Sequence, residues 1–497
     1  MDHSVSDLVM SSSGPQASSA KVRPRLIVMS NRAPIRLVRV NSHDRIEPTV
    51  GGVGATFLRL LEQRGGCWIA WSGGQAAPAR LKLPAHNPLF DLVLIKLSER
   101  EVSEYYWGMS NRGVWPLMHF MTRNCHFSAR HWVTYQKVNE TFARRAEAEV
   151  APGDILWIQD FHLALTPAMV RSRSSDTAIG LFWHVPFPPE QVFRILPWRA
   201  EFLRGMLGSD LIGFHIPSYA THFLNCCEQV LGLTVDREHG SVLNGQRWVK
   251  VRALPLGIPV DYFEALAKSE RVRERAARIK RALRTPHVIL GVDRLDYTKG
   301  ICERILGFER FLEDNPKFRR QVTLVLIAVP SRTRVADYAQ LKREADEQIG
   351  RVTGRFSSEG WAPIRYLYTQ FGPEELIAHY EASDIGLLTP LRDGMNLVAK
   401  EYIASHPDDD GILILSEFAG AAEELTEALL VNPYDIDQIA ARIKDALTMP
   451  PEVRAERMAA LRRRVRTNDL ERWSSIFLDA LDEARRTRQA TDTVGAD

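Results

Sequence analysis

Cysteine is scarce in this chain and follows no pairing pattern. The five residues, Cys67, Cys125, Cys226, Cys227 and Cys302, are odd in number and scattered, and no CxxC pair occurs. That excludes a disulfide framework and a zinc arrangement, and favours a reducing cytoplasmic setting. Long apolar runs are also missing: none approaches the roughly 18 residues that a membrane-spanning helix needs. An excess of one charge is missing too. The net charge of +3 is too near balance to argue for nucleic acid or an anionic membrane surface. Residues 1–24 are Ser-rich and lack the apolar stretch of a secretory signal, so a disordered tail is expected there, and a second one over 489–497. No carboxylate pair stands out as acid and nucleophile in the manner of glycosidases. Asp408-Asp409-Asp410 follows a helical pattern in a polar loop and reads as solvated, so no metal is expected.

What is present is an ordinary globular composition, 45% hydrophobic and 25% charged over 497 residues, enough for two or three domains. Short continuous apolar runs recur between helical patterns: Leu26–Met29, Ile155–Ile158, Ile179–Trp183, Leu211–Phe214, Val249–Leu254, His287–Val292, Val322–Ala328, Ile364–Tyr368, Ile385–Thr389 and Ile412–Leu415. Continuous rather than alternating strands predict parallel sheets covered on both faces, hence an α/β fold. They are too many for one Rossmann unit, so two Rossmann-like domains are predicted, at 25–256 and 257–469. The boundary is set at Pro255-Leu256-Gly257-Ile258-Pro259. A last helix over 470–488 carries Trp473, Ile476, Phe477, Ala480, Leu481 and Ala484 on one face. Two such domains leave a cleft at the carboxyl ends of their strands.

Two stretches carry chemistry. Asp393-Gly394-Met395-Asn396-Leu397-Val398-Ala399-Lys400-Glu401 runs from a strand through a tight turn into a helix. Asn396 can cap that helix, whose free N–H groups then suit a phosphate. Glu401, one turn on, can accept from sugar hydroxyls. Asp293-Arg294-Leu295-Asp296-Tyr297-Thr298-Lys299-Gly300 follows another strand and offers a guanidinium fork and an ammonium. Together these point to a nucleotide-sugar site. Other features are ambiguous singly. Arg32 ending Ser30-Asn31-Arg32 reads as an ion pair, and Gly51-Gly52-Val53-Gly54 as a turn. Tyr106 and Trp115 read as core, and His184, before a Pro-rich turn, as structural.

The Asp393–Glu401 and Arg294–Gly300 strings resemble the trehalose-6-phosphate synthase family of retaining glycosyltransferases, and the resemblance spans roughly residues 25 to 485. It implies the glycosyltransferase B (GT-B) fold, with the C-terminal helix crossing back onto the N-terminal domain. It implies donor contacts at Gly51, Gly52, Arg294, Lys299, Phe371, Asp393, Asn396, Leu397, Val398 and Glu401, with the Phe371 side chain in the core. Val53 stands where the family is expected to have Leu. Acceptor contacts are implied at Arg32, Tyr106, Trp115, Asp160 and Arg332, with Trp68 or Trp71 adding to the wall. His184 falls beside the transferred glucose, and His184, Arg294, Lys299 and Asp393 form the implied catalytic set.

The expected activity is glucose transfer with retention, from a nucleotide-glucose such as UDP-glucose to glucose 6-phosphate. The base of the donor stays open between uridine, guanosine and adenosine. No cofactor is expected, because a diphosphate leaves well once its charge is neutralised. The implied partners are these small molecules, with no nucleic acid or membrane, and a homo-oligomer is expected. Two rivals remain: a glucosylglycerol-phosphate synthase using glycerol 3-phosphate, and a catalytically silent regulatory homologue. Because the chain ends soon after its last helix, no appended phosphatase domain is expected.

Overall fold

Apolar runs bounded by turns become parallel strands because only a sheet covered on both faces buries them completely. The computed structural model describes residues 24–494 except 41–42, 49–51, 75–77, 85–86, 88 and 333–334. The tail expected over 1–24 lies almost wholly outside the described residues. One sheet runs in the order Val235–Asp236, Ser241–Asn244, Arg247–Ala253, Leu211–Phe214, Ala178–Phe182, Ile155–Gln159, Leu26–Arg32, Gly66–Trp71, Phe90–Ile95 and Arg80–Leu83. Its interior is parallel from Arg247–Ala253 to Phe90–Ile95. Its two edges are antiparallel.

The second sheet is wholly parallel: Ile364–Leu367, Val322–Val329, His287–Arg294, Ile385–Leu388, Ile412–Ser416 and Leu429–Val431. Each sheet has a separate buried apolar layer on either face. A hairpin of Ile35–Val40 and His43–Pro48 stands apart from both. Among the described residues no helix is long and apolar enough to cross a membrane.

The helix Leu470–Val494 lies on the first sheet and continues past the expected end at 488. Phe477 stacks on Trp157 with ring centroids 4.1 Å apart, and Trp473 meets Phe182 edge-on at 4.9 Å. Buried Arg488 donates to the Asp210 carboxylate at 3.0 Å. Ile476, expected on the packed face, is 40% exposed, and Leu478 is buried in its place.

The chain thus crosses between sheets twice, near 255–259 and near 468–470. The crossings touch: Leu470 N–H donates to Ile258 O at 3.1 Å. A β-carbon on Gly257 would lie 2.2 Å from the Asp469 backbone, so only glycine fits this approach. Buried Lys400 ties the first crossing to the second lobe, donating to Leu256 O and to Glu424.

Candidate active site

The carboxyl ends of the two sheets face a cleft of about 650 Å³. Arg32, Tyr106, Trp115, Asp160 and His184 line it from the first lobe. Arg294, Lys299, Arg332, Phe371, Asp393, Asn396, Leu397, Val398 and Glu401 line it from the second. Gly51 lies outside the described residues, and Gly52 opens the helix Gly52–Arg64.

On the first lobe, the register of Leu26–Arg32 against its neighbour shifts between Ser30 and Arg32, and Arg32 ends the strand exposed. Its guanidinium sits 4.8 Å from the Tyr106 ring centroid. Tyr106 comes from Val102–Val114, a π-helical segment, a rare geometry that frequently marks functional sites. Burial pushes the Tyr106 phenol up, but Arg32, Arg332 and Arg294 more than offset it, and its pKa falls below the ordinary value. Three cations from two lobes therefore converge on one hydroxyl. Trp115 stands under two of them, with Arg332 at 3.9 Å and Arg294 at 5.3 Å from its ring. Neither candidate tryptophan lines the cleft. Trp68 is core and donates to Ser30 Oγ, whereas Trp71 backs Tyr106 at 5.5 Å.

Asp160 follows the strand Ile155–Gln159 with φ of 69°, an uncommon conformation for a residue with a β-carbon. Burial raises its carboxyl pKa to about 7, against the pull of the Phe161 and His184 N–H groups, Arg332 and Arg294. His184 is held neutral by burial. Its Nε2 pairs with Gln159 Oε1 at 2.8 Å, and its buried Nδ1 has no partner among the described residues. A ring nitrogen left bare in a cleft is suited to a ligand hydroxyl.

On the second lobe, Asn396 adopts φ of 72° and accepts from Ala399 N–H at 3.1 Å, capping the helix Leu397–Ala404 as predicted. Its amide also donates to Asp393 Oδ2 at 3.1 Å. Lys299 is not free in a loop but ion-pairs with Asp393 at 2.5 Å. Burial pushes Asp393 up, yet Lys299, together with Arg294 and its other neighbours, more than offsets it and keeps the carboxylate ionised. Arg332, at φ of 46°, pairs with buried Asp296 at 3.0 Å. Burial would raise Asp296, but Arg332, Arg294 and Lys299 hold it at about 2. Glu401 accepts from Tyr380 at 2.9 Å, and burial raises its pKa. Phe371, expected in the core, is half-buried at the cleft edge and stacks on His379 at 4.9 Å. The Asp408–Asp410 run is not simply solvated, because Asp408 pairs with Arg273 and Asp409 with Arg462. Among the described residues no group of three or more His, Cys, Asp and Glu side chains could hold a metal ion.

The lobes meet directly at this site. A β-carbon on Gly394 would lie 2.1 Å from His184 O. Tyr219 donates to Asp393 O at 3.2 Å, and Arg392 lies 3.9 Å over the Phe120 ring. Asn124 donates to Asp337 at 3.1 Å across the cleft.

This arrangement has known counterparts. The profile of glycosyltransferase family 20 matches residues 24–483. The chain belongs to glycosyltransferase family 20. Trehalose-6-phosphate synthase of Mycolicibacterium vanbaalenii is 40% identical over 481 residues, covering 94% of this chain and 98% of that one. A bifunctional trehalose-6-phosphate synthase/phosphatase of Thermoproteus tenax is 39% identical over 479 residues, which are 94% of this chain but 65% of that longer one. The solved structure of a UDP-forming α,α-trehalose-phosphate synthase of Burkholderia xenovorans in complex with glucose 6-phosphate has 32% identity and a TM-score of 0.84. The match covers 92% of this chain and 100% of that one. The family 20 architecture is the GT-B fold expected from the sequence, two Rossmann-like lobes across a cleft.

Several cleft residues of this family 20 chain had no signal in the sequence. His119, His215, Trp107, Gln370 and Tyr380 belong to no motif and reach the cleft through tertiary packing.

Proposed function

We infer that the protein transfers glucose from UDP-glucose to glucose 6-phosphate with retention, giving α,α-trehalose 6-phosphate and UDP. The observation that carries this is the convergence of Arg32, Arg294 and Arg332 on Tyr106 and Trp115, across the cleft from a capped helix N-terminus. One anionic group fits among the arginines and a second at the helix. The names of two solved relatives supply the two phosphates: glucose 6-phosphate bound in one and UDP-2-fluoro-glucose in another.

In this reading Arg32 and Arg332 hold the acceptor phosphate, while Tyr106, Trp115 and Asp160 hold its sugar. Arg294 and Lys299 neutralise the diphosphate with the N–H groups after Asn396, and Glu401 holds the ribose. Gly51, Gly52, Phe371, Leu397 and Val398 complete the donor contacts through backbone. Asp393 and the bare Nδ1 of His184 take hydroxyls of the transferred glucose. The C1–O bond to the diphosphate breaks and the bond from C1 to the acceptor O1 forms on the same face. The acceptor proton passes to the departing phosphate oxygen, so no protein nucleophile is needed. Preorganised positive charge at the leaving group supplies the main stabilisation. No resident metal or cofactor enters this scheme. The two lobes follow the boundaries at 256 and 469, and the protein works in the cytoplasm as a homo-oligomer.

The test is incubation with UDP-, GDP- and ADP-glucose against glucose 6-phosphate and glycerol 3-phosphate, with NMR of the product. An α,α-linked disaccharide phosphate from UDP-glucose and glucose 6-phosphate is expected. A clear preference for glycerol 3-phosphate would install the glucosylglycerol reading in its place. Silence with every pair would favour the regulatory homologue.

A further inference from the structure

His119 has no part in the scheme above, yet it stands where the lobes join. Its Nδ1 lies 2.8 Å from Trp115 O. A carbonyl only accepts, so Nδ1 carries the proton and Nε2 of the neutral ring keeps a bare lone pair. The ring also packs on the Trp115 indole, centroids 4.1 Å apart, so its orientation is fixed from two directions. It lines the cleft, and among the described residues Nε2 has no hydrogen-bond partner. Burial drives the imidazole pKa down to about 4, and Lys299 adds to this while Asp296 and Asp393 oppose it. At neutral pH the side chain is therefore an uncharged acceptor.

The second lobe fixes the segment that carries it. Phe120 adopts φ of 65°, unusual for a bulky residue, and its ring lies 3.9 Å from the guanidinium of Arg392. Four residues further on, Asn124 bonds Asp337. Arg392 adjoins Asp393, so the Phe120–Arg392 stack sets His119 in register with the Lys299–Asp393 pair.

We propose that His119 is a specificity residue for the transferred hexose, its bare Nε2 accepting from a ring hydroxyl that neither Asp393 nor His184 takes. The proposal rests on the functional reading above. Three acceptors, Asp393 charged and His184 and His119 neutral, then read hydroxyls from opposite lobes, and only when the lobes meet. An epimer with that hydroxyl turned away leaves Nε2 buried and unpaired, and discrimination follows.

The experiment uses full-length protein with His119→Phe, His119→Gln and Phe120→Ala. His119→Phe keeps an aromatic ring on Trp115 and removes the acceptor. Its kcat/KM for UDP-glucose should fall roughly 10- to 100-fold. Its affinity for UDP, which has no hexose, should stay within about 2-fold by calorimetry, and its preference for UDP-glucose over UDP-galactose should narrow. His119→Gln can offer an oxygen near the same point and should recover part of the loss. Phe120→Ala, which loosens only the register, should raise the UDP-glucose requirement with UDP affinity unchanged.

Wild-type kcat/KM in His119→Phe, or a parallel loss of UDP affinity, would overturn the proposal. So would a His119→Gln variant no better than the Phe variant. If His119→Phe does not fold, His119→Gln and Phe120→Ala decide by the same split between UDP-glucose and UDP. Failure of the wild type to form trehalose 6-phosphate would instead bring down the functional reading, so the two failures are distinguishable.

Discussion

Adding one methyl group at Gly394 should hold the lobes apart while leaving the core of each intact. The new β-carbon would lie 2.1 Å from His184 O, 3.0 Å from His184 C and 3.1 Å from Val185 Cα. All three atoms are backbone of the opposite lobe, so no side chain can swing aside. Ordinary contact begins at 3.4 Å, and 3.4 − 2.1 leaves about 1.3 Å of required separation at this point. A misplacement of roughly 1 Å between reacting groups costs on the order of 10²-fold in rate, or about 2.7 kcal/mol. In Gly394→Ala, kcat should therefore fall by about that factor. Affinity for UDP should fall far less than kcat, because Arg294, Lys299, Glu401 and the N–H groups after Asn396 all lie in the second lobe and only the Gly51-Gly52 backbone reaches UDP from the first. The melting temperature should hardly move, since the clash opens a cleft rather than a core. Steady-state UDP release, calorimetry with UDP and a thermal melt read the three quantities. An unchanged kcat would mean that the lobes do not approach this closely in the reacting complex. A proportional loss of UDP affinity would mean that the methyl distorts the Asp393–Asn396 turn itself.

Arg294→Ala and Lys299→Ala should each lower kcat/KM by roughly 10²-fold through lost charge neutralisation of the diphosphate, and near-wild-type turnover in both would remove the donor-site assignment. Arg32→Ala should raise the KM for glucose 6-phosphate about 10- to 100-fold with the donor KM little changed. Arg332→Ala should do the same and also lower the melting temperature, because it strips a partner from buried Asp296; equal stability in the two variants would contradict the pairing. Burial raises the Asp160 pKa to about 7 in the folded protein, so its ionisation destabilises the fold increasingly as pH rises from the unfolded value near 4 through 7, and Asp160→Asn should flatten that slope in thermal melts. Acceptor binding, which needs the ionised carboxylate, should weaken as pH falls below 7 in the wild type, beyond the substrate phosphate's own ionisation near ~6, and that extra limb should vanish in Asp160→Asn. EDTA should leave activity intact, and a loss reversed by magnesium would reveal a metal requirement.

Each of the ten continuous apolar runs singled out in the sequence became a strand, because a strand buried on both faces has no polar positions to blur its pattern. Of the strands missed from sequence, only the outer ones had weak signatures. Gly66–Trp71 and Phe90–Ile95 are central and carry the unbroken apolar stretches Cys67–Trp71 and Leu92–Ile95, so their pattern was as legible as that of the others. Arg80–Leu83 alternates and Ser241–Asn244 holds only two apolar residues, and both pair antiparallel. The π-helical turn that aims Tyr106 has no sequence period to betray it. At the site, residues within contiguous motifs were legible, since the Asn396 cap follows from spacing alone. The Lys299–Asp393 and Arg332–Asp296 pairs were not, because they join segments that only the folded sheet brings together. Ile476 shows the limit of helical periodicity: it sits at the margin of the apolar stripe, and packing decided against it.

The first lobe is made from two distant pieces of chain, the strands ending at Ala253 and the helix beginning at Leu470. That ordering has a consequence for biosynthesis. When Ala253 leaves the ribosome, the aromatic face formed by Trp157 and Phe182 has Phe57 beside Trp157 but lacks Trp473 and Phe477, which are not yet made. At roughly 5–20 residues per second the wait lasts on the order of 10–40 s. The second lobe contains its whole sheet within the intervening stretch and can fold during that interval. The first lobe is therefore the later of the two to complete, although its chain emerges first, and its half-covered tryptophan-lined sheet is the surface of the nascent protein most in need of a chaperone.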